Sequence, residues 1–248
     1  MADEVLYEIC IDSAEGAIAA QEAGAHRVEL CDSLVEGGTT PSGGMIQTAR
    51  SHTNIGLNVI IRPRGSDFCY SVFEFEAMKR DVELAGEYGA DGVVIGVLRP
   101  DGGVDSDLTG ELIDLARPLS VTFHRAFDMV RDPQEALEHL IKLGIDRVLT
   151  SGLEYSALEG LDLISDLIRQ ASDRIIVMPG GGIHERNIRK IVEESGASEV
   201  HVSARSTAES RMAFRNPRAF MGGEFRPPEF SYKATDAGRI RAFINALK

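Results

Sequence analysis

Two short phrases near the N-terminus, Glu8-Ile9-Cys10 and Glu29-Leu30-Cys31, each set a carboxylate two residues before a thiol. On an extended chain, residues two apart share a face, so each phrase aims an acid and a sulfur the same way. Buried carboxylates need partners, because an unpaired buried charge is costly, and His201, Arg62 and His124 are the nearest candidates by strand order. Such a cluster can perform general acid–base chemistry, with burial moving one carboxyl toward neutral pH; it can equally be a satisfied ion network. Cys10 and Cys31 occupy matching places. As thiolates they suit a soft ion such as Cu(I), and as free thiols they pack as small hydrophobes.

A second group follows the predicted strands: Arg62-Pro63-Arg64, Leu98-Arg99, His124-Arg125-Ala126-Phe127-Asp128 and Ser203-Ala204-Arg205. Arginine binds carboxylate and phosphate in a bidentate fork, so this rim suits a small anionic metabolite. Some of these arginines can instead pair with Asp12, Asp32, Asp67 and Asp128 and only tie loops together. The candidate catalytic set is Glu8, Glu29, Arg62, His124, Arg125, Asp128 and His201. Pro179-Gly180-Gly181-Gly182-Ile183, with a helix expected from His184, resembles a phosphate-binding turn in which glycine amides and a helix N-terminus receive the anion. Gly180, Gly181, Gly182, Ser203 and Arg205 are therefore the candidate anion-binding residues. No P-loop, G-x-S-x-G, H-E-x-x-H or G-x-G-x-x-G occurs, so no organic cofactor is indicated.

Positioning these residues requires an alternation of strands and helices, and the chain shows one from end to end. Strands are predicted at 4–10, 26–31, 55–61, 91–97, 119–124, 146–150, 174–179 and 199–203. Helices are predicted at 13–23, 42–52, 72–88, 106–116, 132–143, 155–170, 184–195 and 234–247. Ser13, Ser71 with Glu74, and Asp132 with Pro133 read as helix starts. A junction recurs four times, at Gly24-Ala25-His26, Gly89-Ala90-Asp91, Gly144-Ile145-Asp146 and Gly196-Ala197-Ser198, where glycine can stop a helix and a strand follows. Eight βα units in 248 residues, with no linker, predict one (β/α)8 TIM barrel over residues 1–248. The exception is 204–233, a long irregular loop that is expected to be functional, a cover or an oligomer contact.

Composition sets the outer limits. Hydrophobic residues make up 43% and charged residues 26%, which is ordinary for a globular chain with a full core. The net charge of −13 gives no reason to approach nucleic acid or an anionic membrane. No apolar run reaches the length of a membrane span, and the acidic N-terminus does not read as a signal peptide. Three cysteines without a C-x-x-C point to free thiols in a reducing, cytoplasmic compartment.

The strand-end phrases carry a further signal. EICIDSAEGAIAAQEAGAHRVELCDSLVEGGTTPS, IIRPRGSDFCYS, DGVVIGVLRPDGGVD, VTFHRAFDM, DRVLTSG, IIVMPGGGI and EVHVSAR resemble the CutC family, in unbroken order over roughly residues 4–206. The resemblance implies a cytoplasmic TIM-barrel homodimer associated with copper homeostasis, with Cu(I) held by Cys10 and Cys31. The rim residues independently describe an enzyme-like mouth, of lyase, isomerase or hydrolase type, for a phosphorylated or carboxylated metabolite.

Overall fold

The computed structural model describes residues 5–221 and 228–247. Glu4, the first residue of the first predicted strand, and 222–227, within the predicted loop, lie outside them. The chain alternates β1 (Leu6–Ile11), α1 (Ala14–Ala23), β2 (Arg27–Leu30), α2 (Gly43–His52), β3 (Gly56–Ile60), α3 (Val72–Glu87), β4 (Gly92–Ile95) and α4 (Ser106–Ala116). It continues through β5 (Ser120–Phe123), α5 (Pro133–Leu143), β6 (Arg147–Thr150), α6 (Leu161–Ala171), β7 (Ile176–Pro179), α7 (Ile188–Ser195) and β8 (Glu199–Val202). All neighbouring strands from β7 round to β8 pair in parallel, and a parallel bridge between Gly180 and His201 brings the two edges of the sheet together. The protein is a TIM barrel.

Local signals explain the register of this alternation. The side chains of Ser13, Ser71 and Asp132 accept the first free amides of α1, α3 and α5; Ser71 and Glu74 form a reciprocal capping box, and Pro133 opens α5. Between barrel and helices lies an apolar layer that includes Ile9, Val28, Leu57, Val59, Val93, Ile95, Val121 and Phe123, all fully buried. Those outward-facing positions release the other strand face, the barrel interior, for polar residues.

Three expectations need correction. The stretch 204–233 is not irregular throughout, since β9 (Arg205–Glu209) and β10 (Ser231–Thr235) pair antiparallel before α8 (Ala237–Ala246). RSTAE and SYKAT lack the apolar alternation that marks a half-buried strand, and no residue of either strand is fully buried. Helix α6 begins at Leu161 rather than 155, because Gly160 lies against Gly152 in a backbone contact that a regular helix there would not make. Helix α7 begins at Ile188 rather than 184; residues 184–187 form a turn in which the His184 amide donates to Asn187 Oδ1.

Candidate functional site

Strand register stacks the inward side chains in layers. The lowest is ionic. Arg27 Nε donates to Glu8 Oε2 at 2.5 Å and its Nη2 to Glu199 Oε2 at 2.6 Å, while Arg147 Nε donates to the same Glu199 oxygen at 2.9 Å. Asn58 Nδ2 adds a bond to Glu8 at 3.1 Å. Two arginines thus balance two carboxylates inside the barrel. Glu8 feels burial, which raises it, but the His201 hydrogen bond and the Arg27 charge outweigh this and bring it down to about 2.

Above that floor sits a centre of sulfur, acid and imidazole. His201 Nδ1 lies 2.8 Å from Glu8 Oε1, and its Nε2 lies 3.5 Å from Glu29 Oε2. The Cys10 and Cys31 sulfurs, on β1 and just beyond the end of the adjacent β2, are 4.0 Å apart and are packed with Ile60 and Val94. Ligand atoms of Cys10, Glu29 and Cys31 all lie within 4.8 Å of one another, as do those of Glu8, Glu29 and His201. The hydrogen bond from Cys31, reinforced by His201 against the opposing effect of burial, brings Cys10 down to about 5, whereas the same contact and burial push Cys31 up. Burial raises Glu29 to about 8 against the pull of His201. For His201 burial acts downward, but hydrogen bonds to Cys10 and Glu8 and the Glu29 charge hold it well above its usual range. The arrangement favours the thiolate of Cys10 and the imidazolium of His201, beside a Glu29 carboxyl that burial disposes to keep its proton.

The centre opens onto a cavity of about 310 Å³ at the C-terminal mouth, lined by Cys10, Glu29, His201, Ile60, Leu149 and, nearer the rim, Arg62, Phe68, His124, Arg125 and Asp128. His124 caps the 3₁₀ turn Arg125–Met129: its Nδ1 accepts the Ala126 amide at 3.1 Å. Gly96 is required beneath it, because a Cβ there would stand 2.3 Å from His124 Cε1. Burial, assisted by the Arg62 charge, lowers His124 to about 3, so it is neutral.

Arg125 forms a clamp with Asp128 at 2.6 Å and with Ser151 Oγ at 2.7 Å, and Asp128 also accepts from the Thr150 hydroxyl and the Ser151 and Leu153 amides. Arg62 does not partner the buried carboxylates as strand order suggested. It lies beyond the end of β3 and donates to the carbonyls of Glu36, Gly38 and Ser66, with Phe68 stacked on its guanidinium. His124 likewise makes no bond to Glu8 or Glu29; among the suggested partners His201 alone does so, and Arg27 takes the remaining role.

The glycine turn packs behind the cavity wall, Gly180 against Leu149 and His201 and Gly181 against the Arg125 guanidinium, and does not itself line the cavity. Gly180 N–H is spent on the Thr150 carbonyl, the Gly181 carbonyl accepts from Ala157, and Gly182 O accepts from Asn187. Arg205 reaches Asp12 at 3.5 Å and Ser203 at 3.3 Å. Of the other rim arginines, Arg64 pairs with Asp67 and Glu74, and Arg99 with Asp101. Residues that the sequence reading missed are Arg27, Arg147 and Glu199 in the floor and Phe68 in the wall. Arg27 and Glu199 each stand two positions before an identified inward residue, Glu29 and His201, so period two already reached them.

Fold and site together define a TIM-barrel protein whose C-terminal mouth holds a paired-thiol and acid–base centre. The chain belongs to the CutC family: a sequence model of that family matches residues 5–206. It is 54% identical to the human copper homeostasis protein cutC homolog, an alignment covering 99% of this chain and 90% of that one. A CutC family protein of Parabacteroides distasonis is 50% identical, covering 96% of this chain and 99% of the relative. The crystal structure of the copper homeostasis protein CutC from Streptococcus agalactiae superposes with a TM-score of 0.76 at 33% identity, over 79% of this chain and 97% of that one.

Proposed function

We propose that the protein binds copper(I) as cargo between Cys10 and Cys31, in line with the copper homeostasis named for its relatives. The observation that supports this is the sulfur separation of 4.0 Å, with Cys10 lining an open cavity. A linear S–metal–S unit spans about twice a metal–thiolate bond, roughly 4.6 Å if the ~2.3 Å zinc–sulfur bond is the guide. The sulfurs need part by only about 0.6 Å for that unit, whereas a disulfide would need them at about 2.05 Å. Thiolates select Cu(I), and Cys10 is already disposed to lose its proton. Free thiols and a reduced metal both call for a reducing compartment, so we place the protein in the cytoplasm.

The test is an anaerobic competition titration against a colorimetric Cu(I) chelator. The parent is expected to withdraw one equivalent, and the Cys10→Ser, Cys31→Ser double variant none. A double variant that competes as well as the parent overturns the reading.

The acid–base centre supports a second reading, an enzyme acting on a small anionic metabolite. Glu29 faces the cavity with its pKa near neutrality, His201 beside it and Arg125 on the rim. A direct probe is exchange of protons next to a carbonyl: in D2O the parent should incorporate deuterium at the methyl group of pyruvate, and Glu29→Gln should lose this by at least about 10²-fold. Incorporation no faster than in buffer counts against the reading and leaves copper binding untouched.

A further inference from the structure

Inside the barrel Glu8 is held by Arg27, and Glu199 by Arg27 and Arg147, but no arginine among the described residues holds Glu29. Glu29 is only 4% exposed, and its carboxylate accepts no hydrogen bond among the described residues; its one ionic neighbour there is His201 Nε2, 3.5 Å away. Buried charges are paired or bind a metal ion. The two thiols stand beside this acid. Donor atoms of Cys10, Glu29 and Cys31 all lie within 4.8 Å of one another, with the sulfurs 4.0 Å apart. A point within about 2.6 Å of all three atoms therefore exists, a few tenths of an ångström outside a zinc–ligand shell of about 2.0–2.3 Å. Glu8, Glu29 and His201 are equally close, but both Glu8 oxygens are already engaged, Oε1 by His201 and Oε2 by Arg27 and Asn58.

The sulfur separation discriminates between ions. Two thiolates on opposite sides of a two-coordinate ion stand about 4.6 Å apart, whereas the sulfur–sulfur edge of a zinc tetrahedron measures about 3.8 Å. The observed 4.0 Å is nearer the tetrahedral edge. The sulfur–oxygen edge of the same tetrahedron is about 3.5 Å, so the Glu29 carboxylate has to advance by at most about 1.3 Å, which its side-chain torsions can supply. Donor chemistry agrees. A soft two-coordinate ion takes sulfur, magnesium and calcium take oxygen, and zinc accepts both. The outer contacts match as well: His201 beside Glu29 is itself tied to Glu8 at 2.8 Å, and Glu8 to Arg27, the kind of support that ligating carboxylates receive.

We propose that Cys10, Cys31 and Glu29 form a three-residue zinc site whose fourth position opens onto the cavity. Cys31 is buried, does not line the cavity and closes the site from behind, with Gly38 packed against its sulfur. Cys10 and Glu29 do line the cavity, so the remaining corner of the tetrahedron lies on that side. Three protein ligands and one open position are the pattern of catalytic rather than structural zinc, and zinc lowers the pKa of water held there to about 7. The site does not rest on copper binding, because Cu(I) needs the two sulfurs and not Glu29. The acid–base reading needs Glu29 unliganded, so zinc occupancy and exchange through Glu29 exclude one another.

The experiment titrates reduced, metal-free protein with zinc(II) under anaerobic conditions against a chromophoric chelator. The parent should take up one equivalent and the Cys10→Ser, Cys31→Ser double variant none. Glu29→Gln should bind at least about 100-fold more weakly, beyond what loss of an outer-shell partner costs. That variant keeps both sulfurs, so its Cu(I) uptake should equal the parent's; zinc binding without copper binding would defeat the copper reading and not this one. If the variant loses both ions alike, X-ray absorption at the zinc edge of the loaded parent decides without a variant: it should show two sulfurs at about 2.3 Å and two oxygens at about 2.0 Å. Failure of the parent to bind zinc, a shell with fewer than two sulfurs, imidazole scattering in place of a carboxylate oxygen, or Glu29→Gln binding as tightly as the parent would each overturn the proposal.

Discussion

An Arg27→Met substitution is expected to cost about 3–5 kcal/mol of folding stability, the usual consequence of removing one partner from a buried ion network. Methionine replaces much of the aliphatic stem, so the loss comes from charge. Glu8 would retain Asn58 and His201, and Glu199 would retain Arg147, but each would lose its shortest ionic bond. The interior would then carry one positive charge fewer below a centre that already holds Glu29 and a thiolate-prone Cys10. Urea unfolding of the parent and variant measures the difference. Adding Glu8→Gln should recover part of it, because the second change removes the charge left behind. An Arg27→Met protein within about 0.5 kcal/mol of the parent would show that solvent reaches this layer and that the network carries little of the fold.

Acid should destabilise the protein through His124. Its folded pKa is lowered from 6.5 to about 3 by burial and the Arg62 charge, so the unfolded chain takes up its proton first as pH falls. The contribution is fully present above 6.5 and is lost on descending toward 3, at roughly 1.4 kcal/mol per pH unit. Glu8, lowered from 4.5 to about 2, adds a loss of the same sign below 4.5. Glu29, raised from 4.5 to about 8, acts oppositely: its contribution is lost as pH rises between those values. Between 4.5 and 6.5 His124 and Glu29 therefore offset one another, Cys10, lowered from 9 to about 5, adds a loss down to about 5, and the fall steepens below 4.5, where His124 and Glu8 act together. The His124 term is isolated by subtracting the profile of His124→Asn from that of the parent, whatever the variant's stability at neutral pH. Parallel profiles between pH 6.5 and 3 would show that His124 titrates normally.

Much of the scaffold was legible because its signals are local. Strands such as Val93-Val94-Ile95 are runs of β-branched residues, and the starts at Ser13, Ser71 and Asp132 are side-chain caps. The acid–thiol phrases were legible for the same reason: two neighbouring strands with one spacing place Glu8, Cys10, Glu29 and Cys31 on inward faces. What escaped depends on contacts between distant segments. Nothing near Arg62 in sequence indicates that its guanidinium turns to the Glu36 and Gly38 carbonyls, and nothing near Glu199 reveals two arginines from β2 and β6. The β9–β10 ribbon escaped because it is a strand pair without an apolar face.

The order in which the thiol centre is supplied along the chain has its own consequence. Both sulfurs arrive within the first thirty-one residues, on β1 and at the end of β2, whereas His201 comes from β8, which pairs directly with β1. During synthesis the N-terminal part emerges first, so the soft donors exist long before the imidazole and the ring of strands that shield them. Joining the first strand to the last adds His201 to a pair of sulfurs that already polarise one another. Assembly of the full centre is thereby tied to closure of the ring, and a nascent or truncated chain without β8 has the paired sulfurs but not the imidazole that joins them to Glu8 and Glu29.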